Sequence, residues 1–195
     1  MKVIYNFNEP MAQFRVPSYY KPYSHSWAKS ITGHPIFTTF MHMSEYSHKS
    51  SIGPVEPKDF VKNYGEEGFL LENGKTLPAL NIRYETYGKL NDSADNAVWI
   101  CSPLTADAHA AGWYTETDRK PGWWDELIGP GKAIDTDRFF VVCSNILGGC
   151  KGTTGPATVN PRTGKPYGST FPTITIGDLV RAQKELADGL GIKEF

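Results

Sequence analysis

The sequence predicts an α/β fold whose sheet is mostly parallel, with antiparallel first strands. Three observations carry this expectation. Ala97-Val98-Trp99-Ile100-Cys101 and Phe139-Phe140-Val141-Val142-Cys143 are unbroken apolar runs. That pattern suits strands buried on both faces of a sheet. Each run empties into a loop of small residues and glycines, over 102–109 and 144–156. A segment with helical periodicity then begins at Thr175. Ligands of open α/β sheets sit just past the carboxyl ends of the strands. Residues 104–109 are therefore expected to serve the chemistry.

The chain's 195 residues predict one domain with a sizeable core. A formal net charge of −1 gives no electrostatic reason to expect nucleic acid or an anionic membrane as partner. No apolar run approaches the roughly 20 residues a membrane helix needs. Cys101, Cys143 and Cys150 are odd in number and contain no C-x-x-C, which predicts a reduced, cytoplasmic compartment. Residues 1–49 read differently from the rest. Their aromatics, such as Tyr19, Tyr20, Tyr23 and Trp27, follow neither strand nor helix spacing. His25, His34, His42 and His48 fall here without a recurring ligand spacing, so no metal site is expected. The segment carries no secretory h-region or cleavage site. It is expected to be an irregular N-terminal extension, with Met41 or Met43 as an alternative start, and residues 50–195 to form the folded domain.

Within that domain, Phe69-Leu70-Leu71 leads into a hairpin turn over Glu72-Asn73-Gly74-Lys75, where Asn-Gly is expected to supply two positive-φ positions. Residues 77–87 alternate, with Leu80, Ile82, Tyr84 and Thr86 on one face, which predicts a half-buried antiparallel strand. The strand at 97–101 stops at Ser102-Pro103, because proline has no N–H for a ladder. Residues 121–131 suggest a short helix stopped by Gly129-Pro130-Gly131. Its Trp123 and Trp124 are expected to pack in the core and lid. Residues 157–173 read as coil. Thr175 then caps a helix, with Asp178 in capping-box position. Ile176, Leu179, Val180, Leu186, Ala187 and Leu190 form its apolar face, and Gly191 ends it. Ile192 to Phe195 points toward a further strand.

Acyl transfer would need an oxyanion hole, a nucleophile on a strand-to-helix elbow and an acid–base pair. No G-x-S-x-G occurs in the chain, and the only histidine past residue 48 is His109. A complete Ser-His-Asp set cannot be assembled from 50–195. Gly148 to Gly155 is not G-x-x-x-x-G-K-[ST] and precedes no helix directly, so it is not read as a phosphate cradle. Cys101 and Cys150 have no evident base nearby and are not expected to be nucleophiles.

Several longer stretches carry a resemblance. They are Tyr84-Glu85-Thr86-Tyr87-Gly88-Lys89-Leu90-Asn91, Leu104-Thr105-Ala106-Asp107-Ala108-His109, Pro121-Gly122-Trp123-Trp124-Asp125 and Ile128-Gly129-Pro130-Gly131-Lys132. Asp135-Thr136-Asp137-Arg138-Phe139-Phe140, the run from Gly148 to Pro156 and the run from Asn160 to Gly168 continue the series. In this order and spacing, over about residues 51 to 195, they resemble the homoserine O-acetyltransferase family. The resemblance implies the N-terminal half of an α/β-hydrolase fold, truncated before the nucleophile elbow. The family's serine, aspartate, histidine and helical lid would then belong to a second half. The implied activity moves an acetyl group from acetyl-CoA to the hydroxyl of homoserine through an acyl-serine, in methionine biosynthesis. Acetyl-CoA is a co-substrate, with no cofactor or metal, and a cytoplasmic homodimer is implied.

Residue by residue, the family loop matching Leu104 and Thr105 supplies a backbone N–H to the oxyanion hole. This chain has Ser102-Pro103 and Ala106 where the family usually has His-Ala and Gly, which leaves Leu104 and Thr105 as donors. Gly149, Cys150, Lys151 and Gly152 are implied as a backbone wall of the acyl and amino-acid pocket. His109 is a loop residue in the resemblance, not a base. The alternatives are a homoserine or serine O-succinyltransferase of the same family, or a catalytically dead fragment with residual binding. The long glycine-rich match over 148–156 argues against a plain esterase. The 195-residue chain alone is expected to be inactive and to leave the strand at 97–101 as an open sheet edge.

Overall fold

The computed structural model describes residues 50–195; the expected extension over 1–49, with its four histidines, lies outside the described residues. The strands are β1 (Lys58–Asn63), β2 (Phe69–Leu70), β3 (Thr76–Leu77), β4 (Ala79–Tyr87), β5 (Ala97–Cys101), β6 (Ile128–Gly129), β7 (Ile134–Asp135), β8 (Phe140–Ser144), β9 (Val159–Asn160) and β10 (Lys165–Pro166), with one helix, α1 (Ile176–Gly189). The main sheet has the order β1-β4-β8-β5. β1 pairs with β4 and β4 with β8 antiparallel, and β5 runs parallel to β8. The sheet is mixed. The first strands are antiparallel as expected, and its parallel pairing is that of β5 and β8.

The two apolar runs occupy different places. β8 is central, and Val141, Val142, Cys143 and Ser144 have no exposure. β5 lies at the edge of the sheet, with Val98 and Trp99 half-buried and Cys101 exposed, which corrects the expectation of burial on both faces. An apolar run records what touches a strand's faces, not whether a neighbour flanks it.

β4 also departs from simple alternation. Leu80 and Ile82 are buried on one face, as expected, in a core shared with Leu71, Leu77 and Leu186. Beyond Tyr84, residues of the other parity, Glu85 and Tyr87, are buried instead. Tyr87 joins a second core with Ile100, Ala110, Ala111, Ile128 and Val141. The loop after β5 covers that second face, a long-range event that the local period does not encode. The loop is sutured to the start of the domain: the Trp113 N–H donates to Gly53 O at 3.0 Å, and the Val55 N–H donates to Trp113 O at 2.7 Å.

The β2–β3 hairpin forms where expected. Its turn is built differently: only Gly74 has positive φ (+80°), and Asn73 does not. The Gly74 N–H donates to Leu71 O at 2.9 Å and the Leu71 N–H to Lys75 O at 2.8 Å. That is a turn followed by one left-handed residue, the three-residue hairpin pattern. The Asn73 carboxamide oxygen accepts the Lys75 N–H at 2.9 Å instead.

The helix begins with the expected capping box: Thr175 Oγ1 accepts the Asp178 N–H at 3.2 Å, and Asp178 Oδ2 accepts the Thr175 N–H at 2.9 Å. It ends in a Schellman pattern, with the Ile192 N–H donating to Ala187 O and the Gly191 N–H to Asp188 O. The expected face is kept in part, with Leu186 and Ala187 buried and Leu179 and Leu190 packed on the core, and is shifted at its start. Asp178, Ala182, Leu186 and Ala187 are buried, while Ile176 is 75% and Val180 42% exposed. The Asp178 carboxylate, held by the hairpin, draws the first turn inward on a polar residue that periodicity counts as surface.

Two further expectations are corrected, and the last residues can be placed. Residues 121–131 form successive turns rather than a helix: Ile128 and Gly129 leave the turns to pair with β7, and the Trp123 and Trp124 N–H groups donate to His109 O (3.1 Å) and Ala110 O (2.7 Å) in the loop after β5. Gly122 is pressed against that loop: a Cβ there would lie 2.2 Å from the Ala111 nitrogen. Residues 157–173 contain the β9–β10 hairpin and a 3₁₀ turn at Gly168–Thr170. Ile192 to Phe195 form no strand; the Lys193 N–H donates to Ala94 O at 2.9 Å, and the Phe195 ring meets Trp99 edge-on.

Candidate active site

The carboxyl ends of β5 and β8 face the loops 102–113 and 145–156. Pro103 to Ala106 is a β-turn closed by the Ala106 N–H on Pro103 O at 3.0 Å. Leu104 and Thr105 are its two central residues. Both are exposed, Leu104 at 84%, and among the described residues neither N–H has an acceptor. Two adjacent unpaired amides can solvate a developing oxyanion.

The next residues are held tightly. The Ala108 N–H donates to Asn145 Oδ1 at 2.6 Å, and the Asn145 carboxamide donates to Lys151 O. The Ala110 and Ala111 N–H groups both donate to the Tyr87 hydroxyl, at 2.9 and 3.1 Å. Tyr87 and Glu85 Oε2 are 2.8 Å apart. The second oxygen, Oε1, accepts the Tyr114 hydroxyl at 2.8 Å. His109 Nδ1 lies 3.1 Å from Glu85 Oε2, and the imidazole stacks on Tyr114 with centroids 4.0 Å apart. Its Nε2 is buried without a partner among the described residues. His109 therefore points inward, to a carboxylate, and not toward the exposed turn.

The electrostatics follow from this packing. Burial pushes the Tyr87 hydroxyl far up, and the Glu85 charge pushes it further. Tyr114 moves the same way for the same two reasons, so both phenols stay protonated donors. Burial lowers the pKa of His109, but the Glu85 hydrogen bond and charge, with Asp107 and Asp118, outweigh it and leave it above the ordinary histidine value. Cys143 is pushed up by burial and is an inert thiol. Cys101 and Cys150 are exposed free thiols. Among the described residues no group of three or more His, Cys, Asp and Glu could hold a metal. None of their helices is long and apolar enough to cross a membrane.

A cavity of about 390 Å³ opens beside the loops, lined in part by Arg83, Glu85, Tyr114, Cys150, Lys151 and Gly152. Three of the four expected wall residues meet there. Gly149 does not line it; its N–H turns back to Ile146 O. Lys151 Nζ bridges to Asp107 at 3.5 Å across the rim. A larger cavity of about 600 Å³, between Ser51–Val55 and Gly88–Lys89, lies at the amino-terminal ends of β5 and β8. Ligands of open α/β sheets bind at the other end, so the smaller cavity is the candidate. Trp123 is half-buried and packs in the second core, with its indole N–H on Asp107 O at 3.0 Å, whereas Trp124 is 42% exposed.

Reading the sequence missed Glu85, Tyr87, Tyr114 and Asn145. One signal existed for the first two. Tyr87 places an aromatic on the face of β4 that Asn81, Arg83 and Glu85 make polar, which marks the point where that face turns inward.

No protein-family model matches the chain. Among curated relatives, a homoserine O-acetyltransferase of Solidesulfovibrio magneticus is 53% identical over 157 residues, covering 78% of this chain and 40% of the relative. A homoserine O-succinyltransferase of Halothiobacillus neapolitanus is 58% identical over 142 residues, covering 73% of this chain and 34% of the relative. The chain thus spans less than half the length of these relatives. Among solved structures, a homoserine O-acetyltransferase from Bacillus anthracis superposes with a TM-score of 0.66 at 42% identity, over 71% of this chain and 38% of its own. Esterase E22 superposes with a TM-score of 0.64 at 43% identity, over the same shares.

Proposed function

Because this chain belongs to the homoserine O-acetyltransferase family, on an α/β-hydrolase fold, we propose that it supplies the oxyanion-hole side of an acyl-transfer centre. The centre moves an acetyl group from acetyl-CoA to the hydroxyl of homoserine, a step of methionine biosynthesis, in a cytoplasmic homodimer. The observation that carries this reading is the Pro103–Ala106 turn, with the Leu104 and Thr105 N–H groups unpaired at the carboxyl end of β5. A serine nucleophile attacks the thioester carbonyl, and the turn amides stabilise the oxyanion that forms. Collapse expels the CoA thiolate and leaves an acyl-serine, which the homoserine hydroxyl then attacks. Cys150, Lys151 and Gly152 wall the acyl and amino-acid pocket. No elbow serine occurs in the 195 residues, so the chain alone performs no turnover.

The succinyltransferase relative, at 58% identity, favours a second reading in which succinyl-CoA is the donor. Both readings are tested in a polypeptide in which residues 50–195 replace the matching segment of the Solidesulfovibrio magneticus enzyme. CoA release that requires homoserine and prefers acetyl-CoA is the expected result. A preference for succinyl-CoA selects the second reading. CoA release indifferent to homoserine is hydrolysis, as the esterase neighbour's name describes, and defeats both. The turn geometry also chooses the probe. Thr105→Pro puts proline at the third turn position, where it distorts the turn, whereas Leu104→Pro puts it at the second, where turns accept it. Leu104→Pro deletes one amide and should lower kcat by about 10²–10³, while Leu104→Ala keeps the amide and should be mild. Full activity of Leu104→Pro removes Leu104 from the oxyanion hole. Homoserine-dependent turnover by the 195-residue chain alone would reveal a nucleophile within it.

A further inference from the structure

Glu85 is fully buried on β4, in register with Cys143 of β8. A buried carboxylate needs donors, and its three are the hydroxyls of Tyr87 and Tyr114 and the ring Nδ1 of His109. Two of these, His109 and Tyr114, belong to the loop after β5.

The third acts on that loop indirectly. A phenol oxygen has one proton to give and can accept from two donors. The Tyr87 oxygen accepts the N–H groups of Ala110 and Ala111, so its single proton must go elsewhere. Two acceptors lie near: Glu85 Oε2 at 2.8 Å and the Ala108 carbonyl at 3.2 Å. The carboxylate is nearer and, as an ionised acceptor, stronger. It therefore orients the hydroxyl so that the oxygen faces the two loop amides. From the other side, Asn145 fixes the Ala108 N–H. The run 108–111 is thus clamped from β4 and from the loop after β8, and Leu104 and Thr105 lie four and three residues upstream of the clamp.

We infer that Glu85 is a positioning residue: through the Tyr87 hydroxyl and His109 it fixes residues 108–111 and so aims the Leu104 and Thr105 amides. Glu85 touches no reacting atom. Its effect on turnover rests on the acyl-transfer reading above; its effect on the loop does not.

Two variants separate these. Tyr87→Phe keeps the packed ring and deletes the hydroxyl; Glu85→Gln keeps the shape and deletes the charge. In the 195-residue chain, residue-resolved amide exchange should quicken about tenfold at Ala110 and Ala111 in both variants, the loss expected when one hydrogen bond goes. Exchange in β8 should hold. In the joined polypeptide, kcat should fall by about 10- to 10²-fold with KM unchanged, as misplacement of a catalytic group predicts. Exchange that rises equally in β8 shows a purely structural role and overturns the inference. So does a loosened loop with normal kcat when Leu104→Pro is severe. If Leu104→Pro is harmless, the oxyanion reading fails, and local loosening at 110–111 still decides whether the clamp exists. Should Glu85→Gln not fold, Tyr87→Phe alone decides both measurements.

Discussion

Among the described residues, Asp178 and Glu85 are the two buried carboxylates with no exposure at all, and they are satisfied in opposite ways. Asp178 accepts from backbone: the Thr175 N–H at 2.9 Å and the Glu72 N–H at 3.0 Å, with the Arg181 guanidinium alongside. Glu85 accepts only from side chains, two phenols and an imidazole. Backbone donors come with the helix start and the hairpin, so Asp178 locks one regular element onto another. Side-chain donors can reach from an irregular segment, so Glu85 ties a sheet to a loop. Equal burial therefore does not imply equal purpose: the first carboxylate builds the fold, and the second shapes what the fold carries.

The contrast can be broken by substitution. Glu85→Ala takes the acceptor from His109 and from the partly exposed Tyr114 hydroxyl, leaves the Tyr87 hydroxyl only the Ala108 carbonyl, and should destabilise the domain by about 3 kcal/mol, the cost of removing one partner of a buried charged group. Asp178→Ala loses a cap and leaves two N–H groups that water can partly reach, and should cost about 2 kcal/mol. Urea denaturation of both variants gives the order, and a reversed order would mean that the loop relaxes around the missing carboxylate. pH sharpens the contrast at smaller scale. Burial alone would raise the Asp178 carboxyl; the Thr175 and Glu72 donors and Arg181 outweigh it and hold it below its ordinary value. A lowered carboxyl contributes stability above the unfolded pKa and loses it as pH falls through the folded one. The stability gap between wild type and Asp178→Asn should therefore close on acidification below about pH 4. His109 has the opposite sign. Its pKa is raised, so its contribution is complete below the ordinary histidine value of about 6.5 and fades as pH climbs through the folded value. His109→Gln should flatten that decline while leaving the acid limb unchanged.

The same division separates what could be read in advance from what could not. Thr175 and Asp178 stand three residues apart, so the cap was visible in the chain itself. The strands at 79–87, 97–101 and 140–144 were visible as apolar patterns within single segments. Whatever depended on distant segments was not. The edge position of β5 is set by strand order, and it was expected from the family resemblance rather than from the apolar run itself. The absent helix at 121–131 reflects the pairing of Ile128 and Gly129 with β7, outside that segment. For the candidate site, proline ending β5 beside a loop of small residues pointed to 104–109, and the family resemblance singled out Leu104 and Thr105 within it. Glu85 was hidden because its partners, Tyr114 and His109, lie more than twenty residues away, and a glutamate on a strand's polar parity looks solvated.

The bond between Asp178 and Glu72 has a consequence for the order of folding. It joins residues 106 apart, whereas β1 meets β4 across at most 26 positions at Lys58 and Tyr84. Closing the longer span costs about 1 kcal/mol more in chain entropy, by the logarithmic dependence on loop length. The β1–β4 ribbon is the cheaper contact to form, and docking of α1 on the β2–β3 turn is the dearer one. A group that engages after the rate-limiting barrier alters the rate of leaving the native state more than the rate of reaching it. On this ordering Asp178 acts as a latch on an assembled sheet, and its removal is felt in how fast the domain comes apart rather than in how fast it forms.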